Sequence, residues 1–415
     1  MPLYTTLFLV ALFLGLALQW WLAQRHIAHI VRHRGEVPPP FREKISAAAH
    51  RKAADYSIAK TKLHRIEAVV GAAILLAFTL GGGLDRIDAF WRAQGFGPVA
   101  TGAGFMLSAF FLLAALDIPF ELYRIFRIEA RFGFNKMTPA LYLADVVKKT
   151  LLFIALGAPL IAAALWLMQA MGANWWWAVW LLWVGFSLTL LWAYPAFIAP
   201  LFNRFRPLTE SDLAARVQQL LARCGFQSRG IFVMDGSRRS AHGNAYFTGL
   251  GRNKRIVFFD TLLETLEPPE IEAVLAHELG HFKRRHVIKR IVFLFGFGLA
   301  GLALLNYLMQ TPSFYVAFGL SVPSTHAALT LFMLVTPVFT FYLQPLFAWT
   351  SRRHEFEADA YAAQQADAAA LRRALVKLYE DNAATLTPDP LHSAFYDSHP
   401  PASVRIARLA TSAPT

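Results

Sequence analysis

The chain has 415 residues, 56% of them hydrophobic, a formal net charge of +13 and a single cysteine. So apolar a composition excludes a soluble globular protein of this size. One cysteine, Cys224, excludes a disulfide scaffold, argues against thiolate metal ligands and reads most simply as a lone buried thiol.

Apolar runs that reach the ~20 residues needed to cross a bilayer punctuate the chain. The first covers residues 3–23. It lacks a basic start and a small-residue cleavage site, so it reads as a retained span and not a signal peptide. The second covers 68–84 and the third 97–116. No charged residue lies between Lys149 and Arg204, which leaves room for two spans with a turn at 172–174. Another long uncharged stretch runs from Arg290 to Arg352, with a turn expected at 312–323. The expectation is therefore a mainly α, seven-span membrane protein.

Loop charge sets the expected orientation. The segments 25–65 and 124–149 are rich in Lys and Arg. In a seven-span chain both fall on one side, together with 204–290 and the C-terminal tail. The positive-inside tendency puts that side in the cytoplasm and the first residue outside, and it explains the basic excess without a nucleic-acid partner. One span more or fewer would separate the two polar segments across the membrane.

Four segments result: 1–203, the first five spans with their loops; 204–290, the first part of a split soluble domain; 291–351, spans six and seven; and 352–415, the second part. The first soluble part reads as a helix (210–224) and strands at 231–235, 244–249 and 255–259, with 251–253 as a turn. A helix then starts at Pro268 and Pro269, with Glu270 and Glu272 in its first turn and Lys283, Arg284 and Arg285 in its last, as the helix dipole favours. The Gly-Phe-Gly-Leu-Ala-Gly run at 296–301 fits a dinucleotide-binding spacing. It lies inside an apolar span with no strand before it, so helix packing through small residues is the better reading.

That capped helix carries His-Glu-Leu-Gly-His at 277–281. His277 and His281, four apart, project from one face and can hold a zinc ion. Glu278 between them can act as general base toward a water at the open coordination position. Zinc needs a further protein ligand. Glu355 is the best candidate, and Asp359, four residues on, can take the N–H of a ligating histidine and fix its tautomer. Glu357 points to another face, and His286 reads as an interfacial residue. His/His/Glu ligation favours one Zn2+ per chain.

Taken together, these motifs resemble the CAAX prenyl protease 1 family of integral-membrane zinc metalloproteases. The residues that carry the likeness are the 277–281 motif, Glu355-x-x-x-Asp359, Ser398-His399-Pro400-Pro401, and Asn244-Ala245-Tyr246 upstream. The resemblance implies a ring of seven helices around a large chamber, capped on the cytosolic side by a gluzincin-like protease domain with a small β-sheet. It implies Glu355 as third ligand, Asp359 behind a histidine, and His399 and Arg405 beside the metal, stabilising the tetrahedral intermediate. It also implies that Asn244, Ala245 and Tyr246 bind substrate by strand addition, as an exposed sheet edge allows. Known members remove the last three residues of prenylated C-a-a-X proteins, so the expected partners are peptide or protein substrates, lipidated or not, and membrane lipids. Ala, Leu and Arg usage points to a bacterial inner membrane. Two alternatives stand beside this reading: a prenyl-independent zinc protease of membrane-protein quality control, and a seven-span transporter with a structural zinc.

Overall fold

The computed structural model describes residues 2–208, 212–228, 230–248 and 255–411. Helix α1 (Leu3–His33) is followed by α2 (Ala47–Phe78), α3 (Gly83–Ala93), α4 (Pro98–Tyr123), α5 (Pro139–Ala170) and α6 (Trp175–Ala193). Local sequence sets several of these starts. Ser46 Oγ accepts the Ala49 N–H at 3.1 Å, and Thr138 Oγ1 accepts the Leu141 N–H at 3.2 Å. Pro98 and Pro139 open their helices, where a missing N–H costs nothing.

A short α7 (Ala199–Phe202) leads into the soluble domain. There β1 (Phe205–Pro207), α8 (Asp212–Arg223), β2 (Ile231–Met234), β3 (Ala245–Thr248), β4 (Arg255–Phe259), α9 (Asp260–Thr265) and α10 (Pro268–Lys283) follow in order. The chain then returns to the apolar bundle through α11 (His286–Met309), α12 (Pro312–Ala317) and α13 (Thr325–Thr340). Helix α14 (Gln344–Gln365) carries it back out. The soluble domain closes with α15 (Ala368–Asp381), α16 (Pro390–Tyr396) and α17 (Ala402–Thr411).

Among the described residues, six helical stretches are long and apolar enough to cross a membrane on their own, and α2 with α3 makes a seventh as a pair bent by 46°. The second span expected at 68–84 therefore runs across a break. Three glycines cause it. Gly82 sits at φ +73°, and a side chain on Gly81 would lie 2.7 Å from the carbonyl oxygen of Ala77. The turn expected at 312–323 contains a helix of its own, α12. Strand β1 was not expected: three residues ending in proline give no period-2 signal. Residues 209–211, Gly249 and the turn expected at 251–253 lie outside the described residues, so the helix expected at 210–224 is seen from Asp212 and the strand at 244–249 as β3. Cys224 is half-buried, with Sγ 3.7 Å from Gln365 Oε1. The 296–301 run is helical, and Gly298 packs where a Cβ would meet Trp183 at 2.5 Å.

The bundle is packed at its two ends: Tyr56, Leu63, Ile128, Phe132 and Phe134 are buried together beside the soluble domain, and a larger cluster lies at the far end. Phe8, Phe105, Leu165, Trp175, Leu305, Phe314 and Leu331 form one buried cluster, all from the helix ends remote from the soluble domain. His326 Nε2 meets Asp88 Oδ1 at 2.7 Å at that same end. Toward the middle the helices hide little. The most apolar windows of α5, of the α6 stretch and of α11 bury 17%, 6% and 6% of their residues. A helix in a solid bundle hides a whole stripe; these three bury too few residues for that. The soluble domain has its own core, in which Val217, Leu220, Ile256, Phe258, Ile271 and Leu275 meet Leu371. Both basic segments touch it. Arg25 pairs with Asp389 at 3.0 Å, Val37 and Phe41 pack with Val376 and Leu386, and Asp145 pairs with Arg239 at 2.8 Å.

Helices α10 and α14 meet at Gly280. A Cβ there would lie 2.9 Å from Ala358 Cα and 3.0 Å from its carbonyl oxygen, both backbone atoms that cannot turn aside. Gly280→Ala is expected to force the helices apart at a cost of about 1–3 kcal/mol. Thermal unfolding should show a lowered Tm and metal titration a weakened site. Gly296→Ala, which meets nothing within 4 Å, should leave both unchanged.

Candidate active site

Helix α10 is started firmly. Glu270 Oε2 accepts the backbone N–H of Glu267 at 2.9 Å and also receives Lys377 Nζ at 2.8 Å. Ile271, Leu275 and Leu279 anchor its apolar face in the core. The opposite stripe turns His277 and His281 toward α14, where Glu355 and Asp359 are buried one turn apart.

His277, His281 and Glu355 converge, with one ligating atom from each lying within 4.8 Å of the others. The two Nε2 atoms are 3.3 Å apart. Glu355 Oε1 is 3.3 Å from His281 Nε2, and Oε2 is 3.5 Å from His277 Nε2. Glu355 Oε2 is buried without a hydrogen bond of proper geometry. Two imidazole lone pairs and a carboxylate oxygen aimed at one point repel one another unless a cation lies between them. The donor set therefore fits a divalent metal.

The residues behind the pair are equally ordered. Asp359 Oδ1 is 2.8 Å from His277 Nδ1. Arg405 donates to both oxygens of Asp359, at 2.8 and 2.6 Å, and its Nη1 is 3.5 Å from Glu355 Oε2. Burial works against protonation of His277, but hydrogen bonds to Asp359 and Glu355 prevail and lift its pKa to about 9. Burial likewise opposes charge on Arg405, yet Asp359 holds its pKa above the ordinary value.

Glu278 is half-buried, and no hydrogen bond or ion pair joins it to another described residue. His399 lies in the turn between α16 and α17. Its side chain is 63% exposed, with Nδ1 2.8 Å from Glu355 Oε2, so Nε2 is left for another partner. Arg405 lies against the metal cluster, 3.5 Å from Glu355 Oε2, and its main partner is Asp359. It is 6% exposed and holds both oxygens of the Asp359 that backs His277. Glu357 does point away from Glu355. The face it occupies meets His286, a contact the sequence gave no reason to expect.

Strand order in the sheet is β1-β2-β4-β3, with β2 and β4 parallel and the other pairs antiparallel. Strand β3 is thus an edge. The Phe259 N–H donates to the Asn244 carbonyl at 2.9 Å, and Ala245 stands opposite Phe258. Antiparallel alternation then pairs Tyr246 inward and turns the N–H and C=O of Ala245 and Phe247 to the open side. The side chain of Asn244 covers part of that edge, its Oδ1 accepting the Ala245 N–H at 2.8 Å.

Comparison with known proteins places the whole chain in a family. A family model described as the CAAX prenyl protease N-terminal, five membrane helices, matches residues 26–204, and one for peptidase family M48 matches 207–413. A CAAX prenyl protease 1 homolog of Oryza sativa subsp. japonica is 36% identical over 389 residues, 90% of each chain. CAAX prenyl protease 1 of Saccharomyces cerevisiae is 31% identical, covering 90% of this chain and 88% of its own. The crystal structure of S. mikatae Ste24p matches with a TM-score of 0.91 and 29% identity, over 99% of both chains. The protein is a multi-pass membrane metalloprotease, which sets the transporter alternative aside. The chain belongs to the CAAX prenyl protease 1 family.

Proposed function

We propose that the protein is a zinc endopeptidase that cuts near the C-terminus of prenylated C-a-a-X-type substrates or related membrane-associated peptides. The single observation that carries this is the convergence of His277, His281 and Glu355 beside an unpaired Glu278. An open sheet edge next to that cluster supports a peptide substrate. Apolar helices that bury few of their own residues support a substrate that brings a lipid. Basic segments contacting the soluble domain support a cytosolic site with the N-terminus outside, and the composition supports a bacterial inner membrane.

His277, His281 and Glu355 are the proposed ligands. Zinc in this position supplies a Lewis acid and makes water a nucleophile at neutral pH. Glu278 takes the proton of the attacking water and returns it to the departing amine. His399, with one N–H on Glu355 and a second on Nε2 in its imidazolium form, donates to the oxyanion from Nε2. Asp359 accepts from His277 Nδ1–H, which keeps Nε2 turned to the ligand position, and Arg405 fixes Asp359 in turn. The substrate backbone adds to β3 at the outward groups of Ala245 and Phe247, displacing the Asn244 side chain; Tyr246 keeps the strand on β4.

The test is cleavage of matched C-a-a-X peptides, farnesylated and unmodified, by the detergent-solubilised protein, followed by mass spectrometry. Zinc-dependent loss of the last three residues from the farnesylated peptide is expected. Cleavage indifferent to the lipid would favour a quality-control peptidase, and no cleavage of either peptide would overturn the reading.

Two further outcomes follow. Glu278→Ala should retain metal and lose about 10²- to 10⁴-fold in kcat, whereas Glu355→Ala should lose metal, both read by metal analysis alongside turnover. Ala245→Pro removes an outward N–H and leaves the β3–β4 ladder intact, so KM should rise while metal content and Tm hold. Tyr246→Pro cuts the ladder itself, and its Tm should fall.

A further inference from the structure

The two histidines of the metal cluster are supported from behind in different ways. His277 has a carboxylate directly on its Nδ1, Asp359 at 2.8 Å. His281 has another imidazole. Its Nδ1 lies 3.0 Å from Nδ1 of His286, and Nε2 of His286 lies 3.1 Å from Glu357 Oε2. His286 is 5% exposed, and its ring stacks on His354 with centroids 4.0 Å apart. Glu357 Oε1 is 3.6 Å from Arg353 Nε.

Donor and acceptor chemistry leaves one arrangement. His281 Nε2 faces Glu355 and His277, where its lone pair is needed for a metal. The proton of His281 is then on Nδ1 and is donated to His286. His286 must accept at Nδ1, so its own proton is on Nε2 and is donated to Glu357. A carboxylate accepts only, and the chain ends there. We propose that His286 and Glu357 are positioning residues. They form a two-step hydrogen-bond chain that fixes the tautomer and ring plane of His281, as Asp359 does for His277. Neither touches substrate.

The fold has a specific device for this. Arg285, at φ +57°, breaks α10 from α11 and swings His286 back beneath His281. Helix α14 supplies both Glu355 and Glu357. Two residues apart, they lie on opposite sides of that helix, one toward the metal cluster and one toward His286.

The inference rests on the metalloprotease reading above. It is tested by the Zn2+ affinity of the full-length solubilised protein, measured against a competing chelator, and by the visible absorption of the Co2+-loaded protein. His286→Leu is expected to weaken Zn2+ binding about 10- to 100-fold and to shift the Co2+ bands. His286→Asn carries an acceptor oxygen near the position of Nδ1 and should restore most of the affinity. A Leu variant with wild-type affinity and spectrum would overturn the proposal. So would an Asn variant as impaired as Leu, which would make His286 a packing residue. If His286→Leu does not fold, Glu357→Leu against Glu357→Gln decides: weaker binding in Leu supports the chain, and equal binding overturns it. A wild-type protein that binds no Zn2+ would overturn the metalloprotease reading as well, so the two failures are distinguishable.

Discussion

The site depends on how closely two helices approach. Helices α10 and α14 touch backbone to backbone at Gly280 and Ala358, with no room for even a methyl group on the glycine. Only at that separation do two short imidazoles from one helix and one carboxylate from the other converge on a point. The glycine inside the His-Glu-Leu-Gly-His motif is therefore as much a part of the site's geometry as the histidines. The capping of α10 and its core contacts hold the same crossing from the other side, so domain stability and site geometry are coupled through one contact.

A second constraint is the division of packing between the two ends of the molecule. Residues far from the metal cluster form a solid apolar plug, and the soluble domain forms a second solid body. Between them α5, the α6 stretch and α11 bury few of their residues. Such helices gain little from contact with each other, and the plug and domain must hold their ends in place. This explains why the basic loops are tied to the soluble domain by ion pairs and apolar contacts, including Arg25–Asp389, Arg239–Asp145 and the Val37–Phe41 segment.

Much of this was legible in the sequence because its signals are local. Apolar length marks the spans, a four-residue spacing marks the histidines, and caps mark α10. Family resemblance carried His399, Arg405 and the substrate-binding role of the 244–249 strand, which no local pattern would have selected. What stayed hidden depends on tertiary geometry. The break at 81–83 lies inside an apolar run, so hydropathy reads through it. Strand β1 exists only because β2 offers it a partner. His286 was read as interfacial and Glu357 was set aside by helical spacing. Spacing places Glu357 correctly on its own helix, but it says nothing about what meets that face. Arg285 decides that contact through a left-handed backbone conformation that arginine does not advertise.

The buried charges around His277 make the remaining argument. Glu355 and Asp359 are almost fully buried, and among the described residues Arg405 is the one fixed cation packed against both. Two buried carboxylates against one guanidinium leave negative charge that is costly in a low-dielectric interior. His277 answers by holding a proton more tightly than an ordinary histidine, despite its burial. A divalent cation at the Nε2 cluster meets the same deficit with more charge and three directed donors. Proton and metal are thus alternatives for one lone pair, and the carboxylates that hold the proton are those that attract the metal. Arg405 limits the excess charge. Without it the pocket would bind cations strongly but pay for folding with two uncompensated anions; with it, Asp359 stays ionised, stays in place and keeps His277 turned the right way.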